Sequence, residues 1–290
     1  MKQLLVPIDY STYADNAVHY AIQIARTIKA DLHLCHAMVI PELNQAAGLT
    51  VWPLETYSTI KQAADERLSD YVGQLKEENN TNDPYFPTLT FSNEIGTVKQ
   101  IINQLVSDKK IDLVIMGMAG AGKLDRFFLG SNSRNIIEEP PVPILLIPKD
   151  SDYLPINKIA FATDLTKSDL NAIQSIARLF STYHPEILLS HVSPKASDFH
   201  DPTTHANQFL NHVTCNINYS KIYYRHIQND NIEKGLQWLT HNAQIDILSM
   251  IHRPAGIFSS IFNGSHTQKL ARIVHLPLLV LPENNTEIAW

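Results

Sequence analysis

The feature that most constrains this chain is that it repeats itself once, so its fold has to be built from two related units. Val6-Pro7-Ile8-Asp9-Tyr10-Ser11 finds an echo in Phe161-Ala162-Thr163-Asp164-Leu165-Thr166, and an Asn-Ala pair follows each at the same distance, Asn16-Ala17 and Asn171-Ala172. Leu34-Cys35-His36-Ala37 matches Leu189-Ser190-His191-Val192 at the same offset of 155. Ile111-Asp112-Leu113-Val114 then matches Ile245-Asp246-Ile247-Leu248 at an offset of 134, as do Gly130-Ser131 with Gly264-Ser265 and Val142-Pro143-Ile144-Leu145 with Leu276-Pro277-Leu278-Leu279. The second copy is therefore 21 residues shorter, with the deletion between its second and fourth strands. A chain of 290 residues has the length of two ordinary domains. The expected division is 1–149 and 157–290, with residues 150–156 as the linker.

Within the first copy, short apolar runs alternate with helical spacing. Leu4 to Ile8 reads as a strand. Ala14, Ala17, Val18, Ala21, Ala25 and Ile28 follow at i, i+3, i+4 intervals, with Ser11 placed to cap their helix. Leu32 to Met38 is a second strand, Tyr57 to Lys76 a helix, and Thr88 to Phe91 a third strand. Thr97-x-x-Gln100 is a capping box ahead of Val98, Ile101, Ile102 and Leu105. Ile111 to Met116 and Pro143 to Ile147 are continuously apolar, as strands of a parallel sheet buried on both faces are. Alternation of this kind predicts an α/β fold of two tandem doubly wound domains, with helices on both faces of each sheet. Residues 39–56 form a long connection with Pro41, Gly48 and Pro53, suited to a lid or an interface.

Charge and composition exclude several classes. Twenty-three Lys and Arg against 29 Asp and Glu leave a net charge of −6, without the basic footprint of a general nucleic-acid binder. No apolar run reaches the ~20 residues of a membrane helix, and Pro7 and Asp9 come too early for a secretory signal. Two cysteines, Cys35 and Cys215, make no disulfide framework and read as small apolar residues. The expected compartment is the cytoplasm. His200, Asp201, His205 and His212 lie close in sequence, but their spacing suits neither one helical face nor a zinc site, so no metal site is expected.

Glycine is scarce, with 10 in the chain, yet Gly117, Gly120, Gly122 and Gly130 fall within fourteen positions directly after the fourth strand. Such clustering reads as tight turns or as backbone pressed against a ligand. Ser131-Asn132-Ser133 then opens a helix whose free N–H groups suit phosphate. An ordinary glycine-rich connection is the competing reading. Gly117-x-x-x-x-Gly122-Lys123-Leu124 misses the phosphate-loop motif at its last position, where a metal-binding hydroxyl is needed, and is rejected as one.

Gly117-x-x-Gly120-x9-Gly130-Ser131, taken with Val6-Pro7-Ile8-Asp9, Leu34-Cys35-His36-Ala37 and the tandem repeat, resembles the universal stress protein family over nearly the whole chain. The resemblance implies five parallel strands ordered 3-2-1-4-5 in each copy. The first and fourth strands are then neighbours at the topological switch point, where ligands bind. It also implies an adenine nucleotide (ATP, AMP or ADP, with or without Mg²⁺) in the first copy. Pro7 and Asp9 would lie near adenine and ribose, and Ala37 would line the base pocket. Gly117 and Gly120 would let backbone approach ribose and phosphate, and Gly130, Ser131, Asn132 and Ser133 would serve the phosphates. Pro7 fits locally, since proline in a central strand breaks the ladder.

The second copy departs from the pattern. Ile251 stands for Gly117, Pro254 for Gly120 and Ala162-Thr163 for Pro7-Ile8, although Asp164, Gly264 and Ser265 persist. It reads as a degenerate copy kept for packing, pairing or another ligand. Three functions remain open: an ATP-binding stress-response module, a slow ATPase or self-phosphorylating enzyme acting on Ser131 or Ser133, and a nucleotide-free interaction module. An ATP pyrophosphatase is disfavoured because Asp9-Tyr10-Ser11-Thr12-Tyr13 carries no glycine where that class has its loop. Val142 to Ile147 and Pro277 to Leu281 would be apolar sheet edges, which invites an intramolecular pseudo-dimer and further homodimerisation.

Overall fold

The computed structural model describes residues 2–38, 54–79, 85–118, 131–149, 151–194, 202–253 and 275–283. The first half runs β1 (Gln3–Ile8), α1 (Thr12–Ile28), β2 (Asp31–Met38), α2 (Leu54–Glu78), β3 (Leu89–Ile95), α3 (Val98–Lys109), β4 (Leu113–Gly117), α4 (Ser131–Ile137) and β5 (Ile144–Ile147). The second runs β6 (Lys158–Ala162), α5 (Ser168–Leu179), β7 (Glu186–Ser193), α6 (Pro202–Asn216), β8 (Ile222–Gln228), α7 (Ile232–Asn242), β9 (Ile247–Ile251) and β10 (Leu278–Leu281). Among the described residues no helix is long and apolar enough to cross a membrane.

The apolar runs build this architecture directly. α1 buries every member of its predicted stripe, and the Ser11 side chain accepts from the Ala14 N–H to cap it. Both halves of the Thr97–Gln100 capping box are made. β4 and β5 are buried on both faces, as their unbroken hydrophobicity requires. The 21-residue deletion shows as a shorter β7–β8 connection, whose helix α6 has 15 residues where α2 has 25.

The strands form one sheet in the order β3-β2-β1-β4-β5-β10-β9-β6-β7-β8. Each half is thus a parallel 3-2-1-4-5 sheet. The halves join where β10 runs antiparallel to β5, with Leu278, Leu279 and Val280 opposite Leu146, Leu145 and Ile144. The last strands, apolar edges in either half alone, therefore lie at the centre of the sheet. One core covers the face under α1, α2, α5 and α6, and a second covers the face under α3, α4 and α7. The segment between the halves is packed down: the Tyr153 ring meets Tyr20 edge-on at 5.2 Å, and its hydroxyl lies 2.9 Å from that of Tyr183.

Candidate functional site

At the carboxyl end of the first half's sheet, β1 and β4 part company. Their ladder runs through Leu4–Leu113 and Leu5–Val114 and stops. β1 stays with β2 as far as Ile8–His36. Pro7 lies just beyond the last β1–β4 pair, and having no N–H it cannot donate to a further rung. In the second half Ala162 stands in its place, and the β6–β9 ladder continues through Phe161–Ser249 to Ala162–Met250. The split at the switch point thus belongs to the half with the proline.

A cleft of about 150 Å³ opens at that split. Pro7, Ile8 and Asp9 border it from β1, Cys35 and Ala37 from β2, and Met116 and Gly117 from β4. Val98 and Ile101 close one wall from α3, Tyr13 and Ala14 another from α1, and Ser133 reaches in from α4. Its floor is apolar. Burial, with Glu94 as a lesser influence, pushes the Cys35 thiol up to about 12, so it is neutral and adds no charge. At the rim the Asp9 carboxylate is exposed and accepts from the Ser11 N–H at 3.0 Å. The Lys149 ammonium stands 5.5 Å from the centre of the Tyr13 ring, which gives the rim a cation.

Five of the nine residues singled out from sequence, Pro7, Asp9, Ala37, Gly117 and Ser133, thus border one cleft. Gly120 and Gly130 lie outside the described residues, as do the side chains of Ser131 and Asn132, whose backbone opens α4. Gly117 has a reason of its own to be glycine. A Cβ there would come within 2.3 Å of the Tyr13 carbonyl oxygen, so the close approach is of α1 to β4. Ser133 is buried, and its hydroxyl donates to the Gly117 carbonyl at 3.4 Å. Sequence reasoning missed Cys35, Val98, Ile101 and Met116. Three of them were legible, since Cys35 shares a strand face with Ala37, and Val98 and Ile101 follow the capping box at helical spacing. Cys215, read with Cys35 as a small apolar residue, is exposed on α6. Among the described residues no group of acids, histidines and cysteines is arranged for a metal.

In the second half the side chains at the corresponding strand ends pair with one another. Arg253 Nη1 donates to Asp164, the counterpart of Asp9, at 3.2 Å, and Nη2 donates to Thr166 at 3.0 Å, to Ser168 at 2.8 Å and to Asp169. Asp169 is fully buried and accepts from the Thr163 hydroxyl at 2.6 Å and the Thr166 N–H at 3.1 Å. Glu283 lies 3.5 Å from Arg253 Nε and occupies the repeat position of Lys149, so the rim charge is inverted. A guanidinium held among three carboxylates at low exposure has its charge balanced within the chain.

The model of the universal stress protein family matches residues 1–148. A universal stress protein of Methanocaldococcus jannaschii is 26% identical over 151 residues, covering 51% of this chain and 82% of the relative. A second from the same organism is 25% identical over 156 residues, covering 50% and 94%. Over its length the fold is similar to the crystal structure of a universal stress protein from Archaeoglobus fulgidus, with a TM-score of 0.73 at 15% identity, covering 97% of this chain and 98% of that one. Half the chain is matched by the family's own model and the other half repeats its strand order, so the chain belongs to the universal stress protein family.

Proposed function

We propose that the first half binds one adenine nucleotide in the β1–β4 cleft and that the chain acts as a nucleotide-responsive stress module. The contrast between the halves carries this reading. The same fold, built twice, has a cleft with Asp9 at its rim and Lys149 beside Tyr13 in one half, whereas in the other Arg253 is paired with Asp164, Asp169 and Glu283. The cleft falls below the ~300–1,000 Å³ of a drug-sized pocket, which suits an aromatic base alone. Ribose and phosphates then extend past Asp9 toward Lys149 and the start of α4. ATP, ADP and AMP all fit this arrangement, with or without Mg²⁺.

Of the two serines of the self-phosphorylating alternative, Ser133 finds less support, because its hydroxyl is buried and turned to the Gly117 carbonyl, while the Ser131 side chain lies outside the described residues. We take residues 1–149 and 157–290 as the two domains, joined through 150–156 and working as an intramolecular pseudo-dimer about the β5–β10 seam. The homodimer expected from apolar edges loses its motive, since those edges satisfy each other within the chain. Calorimetric titration of the full chain with ATP, ADP and AMP tests the reading. One equivalent is expected; none, or two of equal affinity, overturns it.

A further inference from the structure

The histidine that recurs at the end of the second strand of each half has no part in the function described so far. His36 Nδ1 lies 2.9 Å from the carbonyl oxygen of Ile8, and His191 Nδ1 lies 2.9 Å from that of Thr163. A carbonyl only accepts, so in both contacts the imidazole Nδ1 is the donor. The bonded carbonyl belongs in each case to the residue just before the switch-point aspartate. Two residues further on, the chain turns through the left-handed region, at Tyr10 with φ 59° and at Leu165 with φ 60°. Neither residue is glycine, so the turn is strained in both halves and needs something to hold it. The imidazole anchors the carbonyl from which that turn departs.

In the first half the chain of bonds continues from this anchor. Asp9 Oδ1 accepts from the Ser11 N–H at 3.0 Å, and Ser11 Oγ accepts from the Ala14 N–H at 3.2 Å, which fixes the carboxylate against the start of α1. The ring is itself held, with Tyr10 at 5.0 Å and the Arg67 guanidinium 3.8 Å above Tyr10. His36 does not border the cleft. In the second half the same device presents Asp164 to Arg253. We infer that His36 is a positioning residue for Asp9, aiming its carboxylate at the cleft, and that His191 does the same for Asp164. This rests on the nucleotide reading only for its effect on affinity.

The repeat supplies the control. In the full-length chain, His36→Leu removes the anchor beside the β1–β4 cleft, and His191→Leu removes the same bond from the second half, where Asp164 is held by Arg253. His36→Asn restores an N–H donor at the place of Nδ1. The Ser11 amide proton, followed by NMR without nucleotide, moves upfield in His36→Leu and stays in place in His36→Asn and His191→Leu. ATP affinity falls about three- to tenfold in His36→Leu, the worth of one hydrogen bond, and is kept in the other two. An unmoved Ser11 resonance in His36→Leu overturns the inference, as does an equal loss of affinity in His191→Leu. If the unsubstituted chain takes up no ATP, the nucleotide reading falls and the Ser11 resonance alone decides the positioning.

Discussion

At the scale of single residues, type was legible in the sequence more often than purpose. Gly117 reads as a place for ligand to approach backbone, and it borders the cleft, but it also lies against the Tyr13 carbonyl, a contact between elements that strand and helix periodicity cannot reveal. Asp164 reads as a surviving site residue, whereas it serves Arg253, 89 positions away in sequence. His33 gives no signal at all, being a polar residue inside an apolar strand. It is 1% exposed, with its ring nitrogens 2.8 Å from the Thr90 hydroxyl and 3.1 Å from that of Ser92. Burial first, and Lys109 second, push its pKa down to about 4 from 6.5. The unfolded chain therefore takes the proton first, and the stability contributed by neutral His33 is complete above pH 6.5 and declines as pH falls toward 4. Asp112 acts in the opposite sense: burial pushes its carboxyl up to about 6, so its contribution declines as pH rises through that value. A difference measurement separates them. His33→Gln keeps hydrogen-bonding capacity and removes the titration, so its unfolding free energy in urea should fall less steeply between pH 6.5 and 4.5 than that of the unsubstituted chain. Parallel slopes would mean that His33 is not neutral in the fold.

At the scale of elements, the hydrophobic pattern located most strands and helices, and it failed where polar groups are satisfied from elsewhere. β3 runs to Ile95, well past the Phe91 at which its apolar character ends. The extra length holds Ser92, bonded to His33, and Asn93, whose amide donates to Asp65 on α2 at 2.8 Å. Partners on other elements make these polar residues tolerable in a strand, and no local window contains them. The β1–β4 ladder teaches the converse, because one proline visible in the sequence predicts where it ends. Pro7→Ala returns a backbone donor and should let β1 zip onto β4 as β6 does onto β9. Amide exchange across 5–8 and 114–117 then slows about two- to tenfold, as one added hydrogen bond allows, while nucleotide affinity drops as the cleft narrows. Ala162→Pro should do the reverse to residues 160–163 and 248–251. Unchanged exchange in both variants would show that the split has another cause.

At the scale of the whole molecule, the 3-2-1-4-5 order places the fifth strand at an edge, and its four apolar residues cannot remain there. β5 is buried along its length because β10 covers it, and the two cores run on across the seam into both halves. Tandem duplication thus solves inside one chain a problem that a single copy would have to solve with a partner. It also leaves the strand ends of the two copies free to differ while β10 keeps its structural task, and in the second copy Arg253 is paired there with Asp164 and Asp169. Residues 1–149 expressed alone keep β1 to β5 and lose that cover. The strand most suited to replace β10 is another β5, which already pairs antiparallel with a four-residue apolar strand here. The isolated first half should therefore sediment as a dimer at micromolar concentration while the full chain sediments as a monomer. Leu145→Pro, which removes an N–H at the middle of the β5 register, should return the fragment to a monomer or precipitate it. A fragment that sediments as a monomer with β5 unaltered would show that the edge is tolerable when bare, and that the two halves are held together by the helices rather than by the sheet.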